Sequence, residues 1–361
     1  MTTLASLVDR FHAAATAWGI PWIVPTLIVM VVVVSLILAY ISVAAMFMIW
    51  WERKISAHIQ VRFGPMRVGG WHGWAQSIAD GIKLLLKEDV IPAGADKVVF
   101  VLAPMVVFAA ALAAYVTIPW GPGLIVKDLN IGLLYMVSIS SLTVVGIVMA
   151  GWSSNNKYSV LGALRSAAQA VSYEVPLVLA LLGPVMLAGT MSMGKLVEAQ
   201  GGRWFGFLPG WYIFPQIVAF LVYFTCALAE CNRLPFDIPE AESELVAGFH
   251  VEYSGMRFAI FFLAEYANMF VVSAIATTLF LGGWRGPWIP LPGLPREVAH
   301  ALFGLAWFLG KCYVLIFVMM WLRWTLARLR VDQLMDFAWK VLLPIAFANL
   351  IVTGLVLVAW K

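Results

Sequence analysis

Charge is scarce in this chain. Lys and Arg number 23 and Asp and Glu 19 among 361 residues, so 12% are charged while 63% are hydrophobic. Soluble domains run near a quarter charged, and a mean hydropathy of +0.92 excludes a water-soluble domain. The composition is that of an integral membrane protein. Cysteine is scarce too. Cys226, Cys231 and Cys312 fall short of the four thiolates an iron–sulfur cluster normally takes. The five histidines lack i, i+4 ligand spacing, so no metal site is expected. No G-x-G-x-x-G or Walker sequence occurs, so no nucleotide site is expected. A flavin, an iron–sulfur cluster and a metal are thus not expected on this chain alone, and any electrons must come from partner chains. The net charge of +4 fits Lys and Arg retained at one membrane face. Nothing basic is interleaved with exposed aromatics, so nucleic acid is not an expected partner.

What is abundant is apolar sequence. Eight segments stand out, at roughly residues 22–50, 98–119, 132–152, 168–190, 212–229, 257–282, 301–322 and 341–360. The fold class expected is an all-α integral membrane protein. It is read as one polytopic domain over 1–361, with about eight transmembrane helices, cytoplasmic amphipathic helices and an acidic cytoplasmic loop. The first apolar run is too long for the core of a signal peptide and meets charge at once in WWERK, so no cleavable signal is expected. Segments 51–97, 154–167, 230–256 and 323–340 carry fourteen Lys and Arg, and the opposite loops and ends carry seven. Positive-inside logic puts the richer set in the cytoplasm and both termini outside. Within 51–97, WAQSIADGIKLLLKED sets Trp74, Ile78, Ile82 and Leu85 on one helical stripe, with Asp80, Lys83 and Lys87 opposite. That pattern fits a helix lying on the membrane, and equally a short helix packed on other protein.

Two acids stand where lipid is expected. Glu265 lies in AIFFLAEYANMFVV and Glu174 in AAQAVSYEVPLVLALL, two residues before Pro176. An acid at bilayer depth costs about 2.5–3.5 kcal/mol on the lenient insertion scale and usually faces a bundle interior or wet cavity. The bland alternative is a neutral glutamate hydrogen-bonded between helices. Between these two spans the stretch ECNRLPFDIPEAESELVAGFHVE gathers Glu230, Asp237, Glu240, Glu242, Glu244 and Glu252, with Arg233 the one formal positive charge among them. Like charges so crowded repel unless some are protonated or matched by Arg and Lys from other loops or subunits. The alternation of acids with Leu, Phe, Ile and Val argues for a partly buried acidic chamber rather than a solvated loop.

Several stretches resemble the H-type membrane subunit of bacterial NADH-quinone oxidoreductase (respiratory complex I), whose mitochondrial counterpart is NADH dehydrogenase subunit 1. They are ERKISAHIQVRFGP at 52–65, ADGIKLLLKED at 79–89, KYSVLGALRSAAQAVSYEVP at 157–176, AECNRLPFDIPEAESELVAG at 229–248, HVEYSGMRFAIFFLAEYANM at 250–269 and RLRVDQLMDFAWKVLLP at 328–344. The resemblance covers nearly the whole chain. Met66 stands where that family often has Asn, and Cys231 where it often has Thr. The resemblance implies a membrane subunit of the proton-pumping enzyme, non-autonomous in catalysis, at the junction with the hydrophilic arm. It implies a quinone chamber to which Glu52, Arg53, Arg62 and Asp80 contribute. It implies a proton path through Glu174, Glu230, Asp237, Glu240, Glu242, Glu244, Glu252 and Glu265. The substrate implied is a quinone, ubiquinone or menaquinone. The partners implied are the other membrane-arm and hydrophilic-arm subunits and membrane lipids, in a bacterial inner membrane with both termini periplasmic.

Three other readings compete. One is the related membrane subunit of an energy-converting hydrogenase or formate hydrogenlyase, which needs no quinone chamber. The long 51–97 segment and the full acidic loop argue against it. A proton-coupled secondary transporter often shows internal repeats with paired broken helices, and none is found here. A docking scaffold without proton chemistry is the third.

Overall fold

A computed structural model describes residues 21–204, 208–239, 242–287 and 296–359, with positions 11, 13 and 15. Side chains at 204, 208, 242, 243, 296 and 297 lie outside that description. Among the described residues, seven helical segments are long and apolar enough to cross a bilayer: Ile23–Ile59, Lys97–Thr117, Gly132–Ser153, Lys157–Ala188, Gly255–Phe280, Val298–Thr325 and Val331–Ala359. An eighth apolar helix, Ile217–Glu230, has 14 residues. At 1.5 Å per residue it rises about 21 Å, short of the roughly 30 Å hydrocarbon layer. The turn at 211–216, with Tyr212 and Gln216 buried, extends that crossing. Gln216 is held there by Thr353 (2.8 Å) and Asn349 (2.8 Å) of the last helix. The chain is an all-α integral membrane protein that crosses the membrane several times. Its described β structure is one two-residue pairing, Arg203–Trp204 with Leu208–Pro209, and an isolated bridge between Gly121 and Leu124.

The helix directions alternate, so the bundle has two ends. Residues 59, 97, 153, 157, 230, 255, 325 and 331 share one, called here the acidic end; residues 23, 188, 217, 280 and 359 share the far end. Helix Gly255–Phe280 is the hub. Of its most apolar stretch 61% is buried, against 17% for the first and last spans, which turn most of their surface outward. That division reflects what a bilayer solvates: apolar surface needs no protein cover there.

Several helices run past their apolar stretches. The first continues beyond residue 50 to Ile59 because its Glu52 is buried among partners instead of meeting solvent. The fourth starts at Lys157, where Asn156 Oδ1 accepts the Tyr158 N–H (3.0 Å). Its early buried face is small and polar (Ser159, Gly162, Ala163, Ser166), a surface that hydropathy does not register. It ends on Gly189, whose φ of 67° is a left-handed cap that glycine adopts at no steric cost. The third span breaks at Ser141 into Gly132–Ser140 and Leu142–Ser153. The Ser140 hydroxyl donates to the Val137 carbonyl (2.8 Å), a bond that competes with helical pairing. In the last span a π turn covers Phe337–Leu342. Pro344 follows, with no N–H to donate and a ring that crowds the preceding turn, which accounts for the π turn. The surface helix Gln76–Leu86 turns Asp80 toward the first span and leaves Ile78, Ile82 and Leu85 exposed, as is the preceding Trp74. Its apolar stripe faces away from this chain.

Candidate functional site

At the acidic end, four distant parts of the sequence meet on one carboxylate. Glu52, 6% exposed, accepts from Arg233 Nη1 on both oxygens (3.0 and 2.9 Å) and from Arg323 Nη1 (2.5 Å). Tyr266 Oη donates to its Oε2 at 2.8 Å. The turn after Glu230 folds Arg233 back into the bundle, with Asn232 at φ 49° and the Arg233 N–H on the Leu228 carbonyl (3.2 Å). Arg233 is 2% exposed. Its Nε lies 2.8 Å from Glu265 Oε1, an ion pair off the hydrogen-bonding direction. Its guanidinium also stacks 4.7 Å from the centre of the Tyr266 ring. Burial works against the charge on Arg233, but Glu265 and Glu52 outweigh it and hold the group protonated. Two carboxylates and two guanidiniums thus cancel within one buried cluster. A buried charge is tolerated only when paired in this way.

Beyond Glu265 two small cavities follow in line. The first, of about 50 Å³, is lined by Glu265, Glu230, Asn232, His250 and Asn268, among others. The second, of about 30 Å³, is lined by Glu230, Asn232, Ser140, Ser141, Thr143 and Glu174. Glu230, Asn232, Thr143 and Ile147 form walls of both. A water needs roughly 10–15 Å³ of such volume and two to four polar partners, so each cavity has room for water between acids. Glu174 accepts from the Ser141 hydroxyl at the break in the third span. Burial pushes the His250 imidazole down to about 4, so it is neutral at the wall of the first cavity. Burial likewise holds the Cys231 thiol protonated, with Glu230 adding to the effect.

The remaining acids of the 230–252 stretch are dispersed onto separate partners. Asp237 pairs with Arg328 (3.1 Å), Glu244 with Arg165 (2.6 Å), and Glu252 accepts from the Asn156 amide (2.6 Å). Glu240, and the side chain of Glu242, lie outside the described residues. Arg53 meets Asp80 at 2.5 Å, with Gln76 also on Asp80 (3.0 Å), at the outer surface. Arg62 bonds Gln60 (2.6 Å) on the exposed loop. The structure therefore brings Glu52, Glu265, Glu230 and Glu174 together, and sets Arg53, Asp80 and Arg62 apart from them. Sequence alone marks Arg233 as the one positive charge in its stretch but does not place Arg233, Arg323, Tyr266 or Ser141 in the site. The usable signals were a lone arginine in an acidic stretch and Arg323 closing an apolar run. Among the described residues no group of three or more His, Cys, Asp or Glu could hold a metal.

A buried acid–arginine cluster joined to a row of carboxylates invites comparison with known proteins. A family model described as NADH dehydrogenase matches residues 28–354. The chain belongs to the family of the H-type membrane subunit of NADH-quinone oxidoreductase. It is 50% identical to that subunit of Dehalococcoides mccartyi (strain CBDB1) over 325 residues, covering 90% of this chain and 86% of that one. The Chlorobaculum tepidum counterpart is 50% identical over 332 residues, 90% and 92% of the two chains. One of the H-type subunits of Geobacter sulfurreducens is 46% identical over 359 residues, 94% and 97%. Every stretch on which the resemblance to this family rests falls inside the matched span 28–354.

Proposed function

We propose that the chain is the membrane subunit of a proton-translocating NADH:quinone oxidoreductase that carries charge from the quinone reaction into the membrane arm. The observation that supports this most is the shared wall at Glu230: two water-sized cavities link Glu265 to Glu230 and Glu230 to Glu174. Quinone, ubiquinone or menaquinone, is the substrate of the assembled enzyme. In this reading Arg53, Arg62 and Asp80 border its chamber with Glu52 behind them. The hydrophilic-arm subunits dock at the acidic end, and the other membrane-arm subunits lie alongside. The membrane is a bacterial inner membrane, with the acidic end cytoplasmic and both termini periplasmic.

Arg233 is the coupling element in this reading because it touches Glu52 and Glu265 at once. When quinone chemistry changes the charge near Glu52, the balance of attraction on Arg233 changes. The proton affinity at Glu265 then follows, and protons pass through the cavity waters to Glu230 and Glu174. One unit charge at about 4 Å is worth about 4 kcal/mol at an effective dielectric of 20. Moving a proton against 100 mV takes about 2.3 kcal/mol, so the coupling is large enough. Glu230→Gln in the assembled enzyme is the test. Membrane vesicles should keep NADH oxidation by a soluble artificial acceptor and lose most quinone-linked proton translocation. Native translocation per quinone reduced in that variant would remove Glu230 from the path.

A further inference from the structure

A further cavity, larger than the two between the acids, stands at the far end. Its volume is about 700 Å³, within the range of small-ligand sites. Arg203, Arg285 and His300 line it together with Trp211, Trp284 and Trp307. Arg285 is anchored by Nη2 on the Glu198 carbonyl (3.0 Å), and its Nε is buried with no hydrogen-bond partner among the described residues. A Cβ at Gly201 would collide with that guanidinium, so glycine is what allows it to lie flat against the backbone. Among the described residues, neither Arg203 nor Arg285 has a carboxylate within 4.0 Å. Arg203 is exposed at the cavity mouth and Arg285 is half-buried, and two guanidiniums on one cavity with no carboxylate beside them among the described residues suit an anion.

The walls are fixed rather than loose. Lys311 donates to the carbonyls of Leu281 (2.6 Å), Gly283 (3.0 Å) and Arg285 (2.5 Å), and sits 4.4 Å from the centre of the Trp211 ring. Trp307 Nε1 donates to the Pro287 carbonyl (3.1 Å). Tryptophans held at the end of a bundle of spans are placed for the headgroup layer. From the cavity's flank, helix Arg296–Thr325 presents exposed Leu302, Ala306 and Gly310, one turn apart, toward the hydrocarbon. The space over Gly310 is open. Cations at headgroup level above an exposed apolar row are the two halves of a lipid site.

We propose that this cavity binds the phosphate of an anionic phospholipid headgroup through Arg203 and Arg285, with an acyl chain laid along Leu302, Ala306 and Gly310. The occupant is a lipid rather than a free anion because the apolar row continues from the cationic end. The test uses the purified intact complex and two photoactivatable lipids, phosphatidylglycerol and phosphatidylcholine, with cross-links mapped to peptides. Phosphatidylglycerol should label residues 200–203, 209–211, 284–287 and 298–310 at least about tenfold more than phosphatidylcholine, the order that two basic groups at a headgroup give. Excess unlabelled phosphatidylglycerol should compete, and inorganic phosphate should not. Arg203→Gln with Arg285→Gln should lower that labelling about tenfold, while Lys at both positions keeps most of it. Equal labelling by both lipids would overturn the proposal. So would displacement by inorganic phosphate, which means a free-anion site, or cross-links from these segments to a neighbouring subunit in place of lipid. If the double Gln variant does not assemble, the native headgroup comparison and phosphate competition decide the matter alone.

Discussion

Replacing Arg233 with Met keeps most of the side-chain volume and removes one charge. The structure says where the cost falls. Glu52 loses contacts at 2.9 and 3.0 Å but keeps Arg323 at 2.5 Å and Tyr266 at 2.8 Å. Glu265 loses its 2.8 Å ion pair and has no other cation within 4.0 Å among the described residues. Stranding one member of a buried pair costs about 3–5 kcal/mol. If even 3 kcal/mol of that is lost before the unfolding transition, the half-life of the purified complex at fixed temperature shortens by up to about a hundredfold. Adding Glu265→Gln to Arg233→Met should restore most of the half-life. Adding Glu52→Gln instead should restore little, because that change strands Arg323. The assay is retention of subunits in the purified complex over time for the native protein, the single variants and both double variants. Additive losses, with no recovery by Glu265→Gln, would refute the view that Arg233 is held chiefly by Glu265 and Glu52.

Three further outcomes are expected. His250, buried among Phe249, Phe258 and Phe262 and lowered to about 4, binds its proton in the unfolded chain first. Its contribution is complete above about pH 6.5 and is lost as pH falls toward 4, by about 3 kcal/mol in all, and His250→Phe should flatten the pH dependence of complex half-life across that window. Gly162→Ala would set a methyl 2.8–2.9 Å from the backbone of Gly248 and Phe249 and should cost about 1–3 kcal/mol. Gly81→Ala, with nothing within 4 Å, is the control and should leave the half-life unchanged or longer. Asp80→Asn breaks a partly exposed pair with Arg53, worth at most about 1 kcal/mol, so assembly should persist. A raised KM for quinone in that assembled variant would support a place for Asp80 at the chamber, and an unchanged KM would count against it.

Much of the architecture is a one-dimensional property. A bilayer demands long apolar helices, so hydropathy alone locates spans such as 98–119 and 257–282 near the helices Lys97–Thr117 and Gly255–Phe280. The same logic makes Glu265 and Glu174 conspicuous, because an acid in such a run has to be accounted for by something. It misses the first turns of the Lys157–Ala188 helix, whose buried face is serine and glycine, and the π turn before Pro344, which hydropathy does not resolve.

The partners are another matter. Arg233 and Arg323 stand 181 and 271 residues from Glu52, and no periodicity couples positions so far apart. In sequence the stretch at 230–252 is a single acidic run. In space its members go to Arg328, Arg165, Asn156 and two cavities, because each helix end brings its own partner. Sequence by itself determined that this chain lives in a membrane, where its spans lie and which acids are out of place. Only the packing decided which charges cancel, where water fits between carboxylates and which arginines meet at one cavity. Hydrophobic spans answer to the solvent around them, whereas the pairing of buried charges depends on distances between helices that the chain sets only once it is folded.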